Sequence, residues 1–125
     1  MATLIQVDNG VAKSKFRIDK ALLRLGRSVE NDICIEDPEV SGEHCIIEMI
    51  AKGDKKDDYE FFVQDMGSTN HTFLNGQQIS RQQLRHNDMI RVGWKYFKFV
   101  DESQQSLEDT KMIHKSWIPG VYYTK

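Results

Sequence analysis

Cys45-Ile46-Ile47-Glu48-Met49-Ile50 is the stretch whose reading decides the fold class. Alternation sets Cys45, Ile47 and Met49 on one face and Ile46, Glu48 and Ile50 on the other, a period of two that belongs to a strand and not to a helix. On either side of it short apolar runs recur at close intervals: Thr3–Val7, Phe16–Ile18, Leu22–Leu25 and Ile33–Ile35 before it, Tyr59–Val63, Thr72–Leu74, Met89–Val92 and Tyr96–Val100 after it. Many short runs at such spacing read as an all-β sandwich or barrel. Between them stand residues that tolerate tight or positive-φ turns, among them Asp8-Asn9-Gly10, Gly53-Asp54, Gly67-Ser68 and Gly93. Successive strands are therefore expected to be joined by hairpins, with Asn75-Gly76 the strongest such signal. The charged insert Lys52–Asp58 reads as an exposed, mobile hairpin loop without a site.

The chain has 125 residues, enough for one compact domain with appendages and too few for two independent cores. Hydrophobic residues make up 39% and charged residues 29%, which excludes a disordered or fibrous chain. A net charge of -2 gives no broad positive field, so nucleic acid is not an expected partner. No apolar run has the length of a membrane span, and the N-terminus lacks the layout of a secretory signal, so no membrane partner and a cytoplasmic location are expected. Cys34 and Cys45 lack zinc-type spacing and read as two free thiols on half-buried strands. The polar patch Asp101–Ser106 marks a boundary, giving a domain over residues 1–100 and an extension over 101–125. In that extension Leu107, Thr110, Ile113, His114, Trp117 and Ile118 fall near helical spacing before Pro119-Gly120, which predicts a short helical or irregular segment covering a sheet edge.

Three polar clusters occupy the linkers between strands: Gly26-Arg27-Ser28, Ser41-Gly42-Glu43-His44 and Gly67-Ser68-Thr69-Asn70. In this order, with Asn31-Asp32-Ile33, Asp37, the run Asp65–Gly76, and then Leu84, Asp88, Ile90 and Gly93, they resemble the forkhead-associated (FHA) family over roughly Leu23–Val100. The resemblance implies a β-sandwich of two twisted sheets, about eleven strands, whose loops at one end form a shallow site for a phosphothreonine peptide. It also implies a signalling module whose partner is a Thr-phosphorylated protein, the substrate of a Ser/Thr kinase, with no cofactor, no metal and no catalytic residue. Preference for threonine comes in the family from a small niche for its γ-methyl, worth about 1 kcal/mol.

The residue chemistry agrees with that implication. A phosphate dianion needs several charge-assisted donors, and the Arg27 guanidinium can meet two of its oxygens at once; the ordinary alternative is a surface arginine paired with Glu30 or Asp32. Ser41 offers a hydroxyl donor, Gly42 a backbone N–H left open by its missing side chain, and Thr69 a hydroxyl and an N–H. Asn70 has an amide able to hold the backbone of an extended peptide. Gly26, His44 and Ser68 read as supports: His44 resembles the family histidine that braces the loops, and Ser68 a turn former. Many family members have a basic or amide side chain where Gly42 stands, so one phosphate contact is expected to be missing, and glycine is frequent where His71 stands. Glu36, Asp37, Glu39 and Glu43 crowd Ser41 and are expected to disfavour acidic residues after the phosphothreonine.

Other readings compete with this one. Ser41, His44 and Asp65 could be grouped as a catalytic triad, and His44, His71, His86 and Cys45 as a metal set, although no motif of a known catalytic class accompanies either. A phosphate-independent scaffold or oligomerisation domain using a sheet face is the stronger alternative. Trp94, Tyr122 and Tyr123 could then form a second interface, and a phosphorylated Thr110 could bring self-association through the C-terminal extension.

Overall fold

The computed structural model describes residues 2–54 and 58–102. Eleven strands form among them: β1 (Ala2–Asp8), β2 (Val11–Ile18), β3 (Leu22–Gly26), β4 (Ile33–Cys34), β5 (Cys45–Ala51), β6 (Tyr59–Asp65), β7 (Thr72–Leu74), β8 (Gln77–Ile79), β9 (Arg81–Gln83), β10 (Met89–Val92) and β11 (Lys95–Asp101). They build one six-stranded sheet, ordered β2-β1-β11-β10-β7-β8, and one five-stranded sheet, ordered β4-β3-β5-β6-β9. The expected C-terminal helix, with Thr110, Trp117, Tyr122 and Tyr123, lies outside the described residues, as do residues 55–57 of the Lys52–Asp58 loop.

Alternation on the strands builds the core between the sheets. Leu4, Ile90, Phe97 and Phe99 of the larger sheet and Leu25, Cys45, Ile47 and Val63 of the smaller one are all fully buried. Phe61 meets Phe99 across the gap, ring centroids 5.3 Å apart and tilted, the edge-on geometry that aromatic quadrupoles favour. In β5 the expected split holds: Cys45 and Ile47 are buried and Met49 packs on the core, while Ile50 on the other face is exposed. Burial pushes the Cys45 thiol up to about 12, so it stays protonated and apolar in character. Cys34 is exposed instead of half-buried, and both thiols are free.

Two strands escape the apolar-run criterion. Gln77-Gln78-Ile79 and Arg81-Gln82-Gln83 have little apolar content because β8 and β9 are the edges of their sheets, where one face and one flank meet water. A single residue, Ser80, separates them and passes the chain from one sheet to the other. Hairpins join β1 to β2, β5 to β6, β7 to β8 and β10 to β11, all antiparallel. The β7–β8 turn is Asn75-Gly76, both at positive φ (51° and 86°), the backbone that a two-residue hairpin loop requires. The hairpin rule fails at β3 and β4, which pair in parallel through Leu25–Ile33 and Gly26–Cys34. A parallel pair needs a crossover, and the intervening loop, residues 27–32, is thereby thrown to one end of the sandwich.

That end is fixed by a buried carboxylate. Asp37 accepts the Glu39 N–H at 2.9 Å and the Trp94 N–H at 3.0 Å, and these backbone donors hold its carboxyl below the ordinary range. The β10–β11 turn thus docks on the segment leading to Ser41. Gly93 makes the approach possible: at φ 61° a Cβ would stand 2.7 Å from Val40 and 2.8 Å from Asp37. Gly93→Ala is therefore expected to destabilise the domain by more than the ~1 kcal/mol of left-handed strain alone, read as a lowered urea midpoint with an unchanged denaturant slope.

Candidate functional site

The three linker clusters meet at this end because β3, β5 and β7 all begin or end there. Backbone hydrogen bonds lace the first cluster to the second: Arg27 N–H donates to the Ser41 carbonyl at 2.9 Å and Ser28 N–H to the Gly42 carbonyl at 3.2 Å. The Asn31 amide donates to the same Gly42 oxygen at 2.6 Å and to Ser28 O at 2.9 Å. Gly26 is the glycine this approach demands, since a Cβ there would lie 2.2 Å from the Gly42 oxygen. Gly42 itself is different: a Cβ at that position meets nothing within 4 Å, so no packing requires a glycine. The position has room for a side chain.

The third cluster is tied on through Ser41 and His44. Thr69 N–H donates to Ser41 Oγ at 3.0 Å, across 28 positions of sequence. This occupies one of the two Thr69 donors foreseen for a ligand and leaves the exposed Thr69 hydroxyl and the Ser41 hydroxyl proton. The Asn70 amide reaches back to the Glu39 carbonyl at 2.9 Å. His44 is fully buried, its Nδ1 3.1 Å from the Ser41 N–H and its Nε2 2.8 Å from the His71 carbonyl. A carbonyl can only accept and an N–H can only donate, so the ring carries its proton on Nε2. His71 stands at φ 67°, in the left-handed region that glycine enters freely, so the loop keeps that conformation around a histidine.

Asp65 is the organiser that residue reading missed. Its carboxylate accepts the N–H groups of Gly67 and Ser68 and the hydroxyls of Ser68 and Thr72. Ser68 is buried and serves as a strut under the loop, more than the plain turn former expected. The signal for Asp65 was its position at the head of the Gly67–Asn70 cluster, where an aspartate caps the following turn with its own side chain. Burial works to raise its pKa, but the two hydroxyls and two N–H groups together outweigh that and hold it low.

Arg27 is exposed and takes no carboxylate partner among the described residues. The ordinary pairing with Asp32 does not form, because Asp32 is engaged by Lys20 at 2.6 Å and by the Arg24 N–H at 2.8 Å. Glu36, Glu39 and Glu43 are exposed around the same loops, whereas the fourth acid counted there, Asp37, is buried and committed to N–H donors. A triad is excluded by the imidazole itself. Neither His44 nitrogen faces a carboxylate or the Ser41 hydroxyl, and Asp65 is saturated by other donors. No cluster of His, Cys, Asp or Glu among the described residues could hold a metal ion.

Two carboxylates held low at this end, Asp37 and Asp65, contribute stability that is complete above the unfolded aspartate value of about 4 and is lost as pH falls through their lower folded values. Their share of the urea midpoint should decline below about pH 4. Asp65→Asn should lower stability at neutral pH by about 2 kcal/mol and flatten that decline, whereas an unchanged acid profile would show that Asp65 has no such role.

Comparison with known proteins places this geometry. The sequence profile of the FHA domain matches residues 23–93. Human proliferation marker protein Ki-67 is 32% identical over 99 residues, covering 78% of this chain and 3% of that protein. The glycogen accumulation regulator GarA of Mycobacterium tuberculosis is 29% identical over 98 residues, covering 78% of this chain and 56% of GarA. The chain thus spans about half the length of GarA and a small fraction of Ki-67. Among solved structures, the MEK1 FHA domain in complex with a phosphothreonine peptide of HOP1 superposes with a TM-score of 0.67 at 27% identity, covering 79% of this chain and 94% of that one. A parallel β3–β4 crossover, loops laced through Gly26, Ser41 and His44, and a matching profile over most of the sandwich together make this chain a member of the FHA domain family.

Proposed function

We propose that this protein is a phosphothreonine-reading interaction module, with residues 1–100 as the binding unit and 101–125 as an extension to it. The observation that carries the reading is the chain of contacts from the Arg27 backbone N–H to the Ser41 carbonyl and from the Thr69 N–H to the Ser41 hydroxyl, with the Arg27 guanidinium free of any carboxylate among the described residues. An exposed cation left without a carboxylate, on a loop bonded to the one that carries Ser41, suits a dianion that supplies the missing charge. Arg27 would take two phosphate oxygens, Ser41 and Thr69 hydroxyls a third, and the Gly42 N–H would support them. Asn70 would hold the peptide backbone, exchanging its contact with the Glu39 carbonyl for one with the ligand. Preorganisation by His44, Asp65 and Asn31 lowers the ordering cost of binding. The solved MEK1 complex with a phosphothreonine peptide supports this reading by similarity.

The partner in this reading is a protein phosphorylated on threonine by a Ser/Thr kinase, bound without catalysis. No helix of the described residues is long and apolar enough to cross a membrane. Two reduced thiols, Cys34 and Cys45, suit the cytoplasm, which is the compartment we propose.

Isothermal titration with a phosphothreonine peptide and its unphosphorylated twin tests the reading, since phosphate recognition requires a wide affinity gap. Arg27→Ala should weaken the phosphorylated peptide ~30–100-fold, about 2–3 kcal/mol, and leave the unphosphorylated one as it was. Equal affinities for the two peptides in the wild type would reject the proposal. Because position 42 faces open space, Gly42→Lys should fold normally and tighten the phosphorylated peptide several-fold, about 1 kcal/mol.

A further inference from the structure

The outer face of the six-stranded sheet has a charge that the rest of the molecule does not share. Strand registers place Lys15, Ile5, Lys98 and Met89 in one row across β2, β1, β11 and β10. A second row runs Val7, Tyr96, Arg91 and Phe73, and Arg17 stands one step along β2 from Lys15. Four cations therefore occupy this face, and among the described residues no Asp or Glu holds an outward position on its strands; Asp8, Asp19 and Glu102 stand at or past strand ends. The chain as a whole carries a net charge of -2. On the opposite sheet the outward cation Arg81 is neutralised by Glu48 at 2.8 Å while lying over Phe62. Here Lys15, Arg17 and Lys98 form no ion pair among the described residues, and Arg91 only stacks on Phe73, 4.1 Å from the ring centroid, and donates to the Gly93 carbonyl.

Lysines on an edge strand commonly serve to repel other strands, and that accounts for Lys13, Lys15 and Arg17 on β2. It does not account for Lys98 and Arg91, which lie on central strands with neighbours on both sides. Nor does it account for the apolar component. The solvent face of an antiparallel sheet is ordinarily polar, yet Ile5, Val7 and Met89 are only partly covered and Tyr96 is 43% exposed.

We infer that this face docks an acidic protein segment bearing apolar side chains, a contact separate from the phosphothreonine site. Lys15 and Lys98 stand two strand spacings apart, about 10 Å, with Ile5 between them. An extended segment crossing the strands, with glutamate, an apolar residue and glutamate at every second position, would turn a carboxylate toward each lysine and an apolar side chain toward Ile5. A second copy of this chain is disfavoured, because a two-fold contact would press like cations together. A nucleic-acid backbone would meet the cations but leave Ile5, Val7 and Met89 against phosphates.

The test uses the full chain, isotopically labelled, titrated with an unphosphorylated synthetic peptide in which pairs of glutamates alternate with isoleucine-tyrosine pairs, so that each face of the extended peptide carries both kinds of side chain. Amide shifts confined to β1, β2, β10 and β11, with an affinity on the order of 100 μM that weakens as salt rises, are expected. Lys15→Glu with Lys98→Glu should weaken binding at least ~10-fold, while Arg27→Ala leaves it unchanged; Lys15→Gln with Lys98→Gln replaces the reversal should that variant fold poorly. Equal binding of a lysine-for-glutamate peptide, or shifts that persist in the charge variants, would overturn the inference. So would tighter binding of duplex DNA or phosphatidylserine vesicles than of the peptide, or contacts between residues 103–125 and Ile5 or Tyr96 that keep the face occupied. None of these outcomes bears on the affinity gap for phosphothreonine, so the two proposals fail separately.

Discussion

A single buried imidazole holds the functional end together. His44 accepts from the Ser41 N–H and donates to the His71 carbonyl, joining loops that lie 27 residues apart in the chain. With both ring nitrogens committed, the tautomer is fixed, and the loop can shift only by breaking a hydrogen bond in a site closed to water, where an unmade bond costs about 1–3 kcal/mol. The tie between the Ser41 loop and the Thr69 loop rests on that bridge and on the Ser41–Thr69 contact beside it.

Asp37, Asp65 and Asn31 extend the same logic outward. Each is a polar side chain that satisfies backbone groups of irregular loops, which have no ladder of their own to pair them. Among the described residues no buried side-chain nitrogen or oxygen lacks a partner. Loops satisfied from beneath stay in one shape without help from a ligand, and the exposed groups above them are left to act on whatever arrives.

Much of this was legible in the chain. Alternation in Cys45–Ile50 and the positive-φ pair Asn75-Gly76 needed only local rules, and both hold. The edge strands β8 and β9 did not, because an edge strand is defined by what its neighbours leave uncovered, and polar Gln77–Gln83 looks like loop until β7 and β6 pair with it. At the candidate site, the three clusters that carry Arg27, Ser41 and Thr69 stood out by their order, and the structure brings their loops together. The difference between Gly26 and Gly42 did not, since the two glycines look alike in sequence and only the 2.2 Å approach to the Gly42 carbonyl distinguishes them. Asp65 was hidden because its four donors come from residues that a local reading assigns to other tasks, Gly67 and Ser68 to a turn and Thr72 to a strand.

Ser80 sets a limit on how this fold can diversify. With one residue between β8 and β9, an added amino acid there must slide one of those strands against its neighbour, and a slip of one turns every side chain of the strand to the opposite face. The Lys52–Asp58 hairpin carries no such coupling, and length changes there leave every register intact. Grafted peptides, tags and natural insertions thus have an open door at one hairpin and a locked seam at the margin where the two sheets share their chain.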